Sequence, residues 1–151
     1  MDNDTAFKVY KLASSGFCCT QIMLKMALQE EENDNEDLVR AFRGMCNGIN
    51  FMEKTCGVLT GGIGIIGLYA GKGNEQEDCK EDFTDMMDEY MNWFENEFKS
   101  TDCKELVGIQ NIKDVGEKTS YPVKCGEILQ KGYMKIRHIL SEHDYEFGDR
   151  D

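Results

Sequence analysis

Seven cysteines in a chain of 151 residues are the groups best able to do chemistry. Four of them, Cys19, Cys56, Cys103 and Cys125, fall in or just before the first turn of an expected helix. Helix N-termini carry unpaired N–H groups and positive partial charge, which favour a thiolate over a thiol. If those helix ends converge, the four sulfurs make a set of metal or cluster ligands; if not, each is a small buried hydrophobe. Their spacing matches no standard site. There is no Cys-x-x-Cys pair, so zinc ribbons, common ferredoxin loops and thioredoxin-type dithiols lack support. Covalent haem has no Cys-x-x-Cys-His attachment point, so none is expected. The two histidines, His138 and His143, fall late on the last expected helix and read as exposed, which leaves no cysteine–histidine nucleophilic pair. Of the other cysteines, Cys18 and Cys19 are neighbours and read as one thiol inside and one outside. Cys46 lies in a glycine-rich turn and could supply an additional thiol, and Cys79 reads as packing.

The elements that must position these groups read as helices. Ala6, Val9, Tyr10 and Ala13 share one face of a first helix, which Ser14-Ser15-Gly16 breaks. Cys19, Ile22, Met23 and Met26 mark a second, ending in an acidic loop, and Asn35 can cap a short third. The stretch Thr55 to Gly71 is uncharged and glycine-rich, and reads as a buried central helix headed by Cys56. Gly57 and Gly61 lie on one of its faces, where small residues admit another backbone or a flat cofactor. A helix from about Glu75 to Lys99 is expected to be the longest, with Cys79, Phe83, Met86, Met87, Tyr90 and Phe94 as its buried stripe. Gly108 to Tyr121 reads as irregular, and the last helix opens at Ser120-Tyr-Pro122 and carries Cys125. Residues from about Asp144 onward read as a frayed acidic tail. The expectation is a single all-α domain over residues 1–151, a compact bundle of about five main helices around the central one.

Composition bounds the partners. The formal net charge of −12, from 29 acidic against 17 basic residues, argues against nucleic acid and against an anionic membrane surface. The uncharged central run of 17 residues, with five glycines from Gly57 to Gly67, is short and weakly apolar for a membrane span of about 20. Met1-Asp-Asn-Asp-Thr has neither the basic nor the apolar part of a signal peptide, so a cytoplasmic location is expected. In a reducing compartment cysteines serve more often as ligands, redox thiols or packing than as staples, and seven cannot all pair within one chain.

Four blocks of the sequence, taken together, resemble the C_GCAxxG_C_C family of redox-active proteins. Gly16-Phe-Cys-Cys-Thr-Gln21 is similar to its first block and identifies Cys19, rather than Cys18, as the family position. Gly48 to Gly61 is similar to the central block, with Cys56, Gly57 and Gly61 matching. Phe94 to Leu106, with Cys103, resembles the third block, and Cys125 is the fourth cysteine. Val58 departs from the motif alanine, and Asn50 and Glu53 stand where relatives tend to carry glycine. The resemblance implies an all-helical domain with a redox or cluster-binding role; a related domain in split-Soret cytochromes makes an iron–sulfur cluster thinkable. The leading expectation is therefore a redox protein whose Cys19, Cys56, Cys103 and Cys125 act on one site. They would ligate an iron–sulfur cluster or zinc, or cycle between thiol and disulfide, and would serve a redox partner protein. Whether it is an enzyme is open, because no substrate is named. The alternative is a binding or assembly module with structural cysteines, in which the small-residue face of the central helix meets a partner or a second copy.

Overall fold

The computed structural model describes residues 3–107 and 123–150. Its helices are α1 (Asn3–Ser14), α2 (Cys19–Glu30), α3 (Glu36–Ala41), α4 (Cys46–Ile49), α5 (Gly57–Ala70), α6 (Phe83–Phe98), α7 (Cys103–Val107) and α8 (Val123–Glu142), with a 3-10 turn at Arg43–Met45. Among the described residues there is no strand, only an isolated antiparallel bridge between Thr55 and Asp102. The all-α expectation holds. The expected irregular segment Gly108 to Tyr121 lies outside the described residues.

The helices begin and end where local chemistry directs. At the start of α2 the Cys18 N–H donates to Gln21 Oε1 at 3.4 Å, and Asn35 Oδ1 accepts from the Leu38 N–H at 3.1 Å to cap α3. Helix α5 stops at Gly71, whose N–H donates to the Gly67 carbonyl at 2.8 Å. Helix α2 is buried on nearly every side, with Ile22, Met23 and Leu24 wholly enclosed. It packs closely along α5, and α8 and α6 close the other sides of α5.

Glycine is what lets these helices approach. A Cβ on Gly57 would collide with Cys19 Sγ, and one on Gly61 would come within 2.8 Å of Met23 Cβ. Gly62 meets the ring of Tyr90, a fully buried residue whose hydroxyl donates to the Val58 carbonyl at 2.9 Å. The bulk that Val58 adds over alanine is taken up by Gly132 of α8, where a Cβ would lie 2.5 Å from Val58 Cγ1. The small-residue face expected to receive a cofactor, a partner or a second copy is thus filled from within by α2 and Tyr90.

Several expectations need correction. The buried face of α1 is Thr5, Val9, Leu12 and Ala13; Tyr10 is 66% exposed, because Leu12 rather than Tyr10 completes the inward stripe. Helix α6 begins at Phe83, not Glu75, and α8 is longer. Residues 74–82 offer no apolar stripe, and their polar groups bond locally instead of helically. Asn74 Oδ1 takes the Gln76 N–H at 2.8 Å, the Glu77 carboxylate takes the Gly73 N–H, and the Lys80 N–H reaches the Ala70 carbonyl at 2.8 Å. Cys79 is consequently exposed rather than core.

The C-terminal residues dock instead of fraying. Phe147 stacks on Tyr69 with centroids 5.7 Å apart, Tyr145 meets the same ring edge-on, and the Gly148 N–H donates to Tyr69 Oη at 2.9 Å. His143 is part-buried rather than exposed, with Nδ1 3.2 Å from Asp82 and Nε2 3.3 Å from Glu89, and Tyr145 Oη donates to Asp82 at 2.7 Å. His138 is exposed as expected, beside Glu142.

Two glycines of α5 separate close packing from mere composition. Gly61→Ala is expected to cost roughly 1–3 kcal/mol through overpacking against Met23. Gly67→Ala, where a Cβ would meet nothing within 4 Å, is expected to gain about 0.5–1 kcal/mol from helix propensity. Urea midpoints at equal m-value check both.

Candidate functional site

The isolated antiparallel bridge anchors two of the four candidate cysteines, which lie diagonally across the Thr55–Asp102 pair. Its hydrogen bonds run from the Cys56 N–H to the Thr101 carbonyl at 2.8 Å and from the Cys103 N–H to the Lys54 carbonyl at 2.6 Å. Cys56 is the extended N-cap residue of α5 and Cys103 the first residue of α7, and both are buried. Cys19 opens α2, and the close approach of α2 to α5 lays its sulfur against Gly57, next to Cys56. Three of the four sequence-assigned cysteines thus gather where α2, α5 and α7 begin. Cys125 lies in the first turn of α8, half-buried and packed against the same core.

Cys19 is partly buried, with its sulfur lying against Gly57, and the backbone N–H groups of Asn47, Thr20 and Gly57 and its own N–H favour its ionised form. Each favours the thiolate, as a helix start should, yet burial outweighs them and raises the thiol above its ordinary range. Burial likewise pushes Cys56 well up, and charge on Cys19 or Cys103 would push it further, against the Val58 and Leu59 N–H groups that pull it down. Cys103 is pushed up to about 12, first by burial and then by Cys19 and Glu53. The thiolates expected at these helix starts are therefore thiols at neutral pH. Within this pocket one ionised sulfur opposes the next.

One wall of the site is an unusual piece of backbone. Asn47, Gly48, Ile49, Asn50, Phe51 and Glu53 all have φ between 50° and 68°, so α4 is a left-handed turn, closed by the Asn50 N–H on the Cys46 carbonyl at 2.9 Å. Left-handed winding costs about 1–2 kcal/mol per non-glycine residue. Asn50 and Glu53 sit in this conformation without glycine's freedom. Gly48 is forced: a Cβ there would lie 2.7 Å from the Lys54 nitrogen and 2.8 Å from Cys103 Cβ.

Sequence reasoning missed a covalent feature of this wall. Cys18 and Cys46 are joined in a disulfide, with Cα atoms 5.8 Å apart, inside the usual range of about 4.4–6.8 Å. No spacing rule marks the pair, since 28 residues separate the two cysteines. The surviving signal was only that Cys18 adjoins a site cysteine and Cys46 precedes the turn before another.

Raised thiol pKa values fix the sign of a pH effect. Cys56 and Cys103 stay protonated in the folded protein where the unfolded chain, with thiols near their ordinary value of 9.0, has already lost those protons. The unfolded state then binds fewer protons, and stability falls as pH rises. The loss is expected between pH 9 and about 12 for Cys103, and to be smaller in Cys103→Ala, as urea unfolding at stepped pH would read. Iodoacetamide at pH 7 is expected to label exposed Cys79 at least about a hundredfold faster than Cys19, Cys56 or Cys103.

Among the described residues, no three His, Cys, Asp or Glu side chains stand in an arrangement that holds a metal ion, and no helix is long and apolar enough to cross a membrane. No curated protein and no solved structure matches the chain. Residues 17–139 match the family model described as "Putative redox-active protein (C_GCAxxG_C_C)", a span that takes in Cys19, Cys56, Cys103 and Cys125. By that match the chain belongs to the C_GCAxxG_C_C family.

Proposed function

We propose that the protein is a redox carrier whose site is the Cys19, Cys56 and Cys103 group, joined by Cys125, and that these sulfurs ligate an iron–sulfur cluster. The observation that carries this reading is the gathering of buried Cys56 and Cys103 near the partly buried Cys19, whose ionised form backbone N–H groups favour. Buried, protonated thiols are poor nucleophiles, so an uncompensated role in thiol attack is disfavoured. A cation reverses the balance: it offsets mutual repulsion, and binding proceeds with release of the thiol protons. Hydrogen bonds to ligating sulfur, such as those Asn47, Thr20 and Gly57 supply, tune the potential of a thiolate-bound cluster. The donors fit a soft metal by their chemistry, and loading has to draw their sulfurs closer together than they now stand. Gly57 and Gly61 serve this site by admitting α2, not by touching a cofactor. A cytoplasmic location, where thiol ligands stay reduced, and a separate protein as electron donor or acceptor belong to the same proposal.

Anaerobically purified protein is expected to contain iron with acid-labile sulfide, bleached reversibly by dithionite. Cys56→Ser and Cys103→Ser are expected to lower metal content at least about tenfold, and Cys79→Ser to leave it unchanged. Protein free of metal in all preparations, with no reversible bleaching after reconstitution, would overturn the reading.

A further inference from the structure

The disulfide belongs to none of the four family cysteines, yet it lies directly on their site. It joins the residue before Cys19 to the residue before Asn47, and the Asn47 N–H is one of those aimed at Cys19 Sγ. The next residue, Gly48, is pressed against Cys103 Cβ, and its carbonyl accepts the Lys54 N–H at 2.9 Å. The segment following Cys46 is therefore the cover of the site. That cover is left-handed at Asn47 through Phe51, and Ile49, Phe51 and Met52 are exposed, so apolar burial does little to hold it. The covalent bond at Cys46 ties it down.

We propose that Cys18 and Cys46 form a reversible thiol–disulfide exchange site for a dithiol co-reactant, and that opening it releases the turn covering Cys19 and Cys103. Exposure directs the attack: Cys18 is partly exposed whereas Cys46 is only 5% exposed. A thiolate of the dithiol bonds to Cys18 Sγ as the bond to Cys46 breaks. The electron pair leaves on Cys46 Sγ, which takes a proton. The dithiol's second sulfur, as it loses its proton, then bonds to the first and releases Cys18, which is protonated in turn. The protein disulfide is reduced by two electrons and the dithiol becomes a cyclic disulfide. The reverse reaction closes the cover.

The exchange itself stands apart from the proposed metal role; the importance of the cover rests on that reading. The test uses the full chain in graded mixtures of reduced and oxidised dithiothreitol, with pulsed alkylation, peptide mass spectrometry and amide hydrogen exchange on the same samples. Across the series the Cys18–Cys46 link is expected to pass from formed to open. As it opens, labelling of Cys19 and Cys103 should quicken at least about tenfold, with amide exchange in α5 and α8 unchanged. Cys46→Ser should label quickly at every ratio. A link that is present or absent at every ratio would overturn the proposal. So would opening without faster labelling, or faster labelling matched by exchange throughout α5 and α8, which is general loosening. Labelling reads the cover and metal analysis reads the cargo, so either proposal can fail alone.

Discussion

The contact between α2 and α5 across Gly57 and Gly61 is the constraint on which the rest depends. With any side chain at Gly57, Cys19 Sγ could not lie beside the start of α5. The two helices would separate, and Tyr90 and Val58 would lose the spacing that lets them fill the gap between α5, α6 and α8. Glycine is costly in a helix interior, by roughly 0.5–1 kcal/mol each relative to alanine. Close packing along a nearly all-buried α2 offsets that cost. The same closeness creates the candidate site, because it places one helix start upon another.

That placement sets two electrostatic effects against each other. Backbone N–H groups at the helix starts draw the sulfurs toward ionisation, while enclosure among apolar neighbours opposes it more strongly. Fixed partial charges thus favour an ionised sulfur that burial resists. The left-handed turn adds to this arrangement, since it trades backbone comfort for an N–H on Cys19 and a snug fit of Gly48 on Cys103. Unfavourable backbone of this kind persists only where neighbours over-determine it, and here the disulfide and the bridge flank it on either side.

Much of this was legible in the sequence, and the failures have physical causes. The helix starts near Cys19 and Cys125 were readable because the Ser14-Ser15-Gly16 break and Pro122 agree with the apolar periodicity that follows, and the start at Cys56 from the uncharged run behind it. The role of Gly57 and Gly61 was readable as close approach, but not that α2 itself would arrive. Tyr10 misled because an aromatic at helical spacing imitates a core residue, whereas Leu12 and Ala13 complete the inward face. Cys79 misled because the run from Glu75 has helix-forming residues but no apolar face to hold them against the core. The docked C-terminus was hidden by its acidic residues, although Tyr145 and Phe147 supply the contacts. The Cys18–Cys46 bond could not be read, because 28 residues separate the pair and no spacing rule joins them.

The central claim is that the sulfurs of Cys19, Cys56 and Cys103 share one pocket. Trivalent arsenic tests it most directly, because it bonds several thiols at once only where their sulfurs can meet. In reduced protein carrying Cys18→Ser and Cys46→Ser, arsenite should bind one arsenic per chain, and mass spectrometry should find it joining the peptides of Cys19, Cys56 and Cys103. Arsenic that joins no two of these cysteines, or that binds unchanged when Cys19 is replaced by serine, would contradict the account.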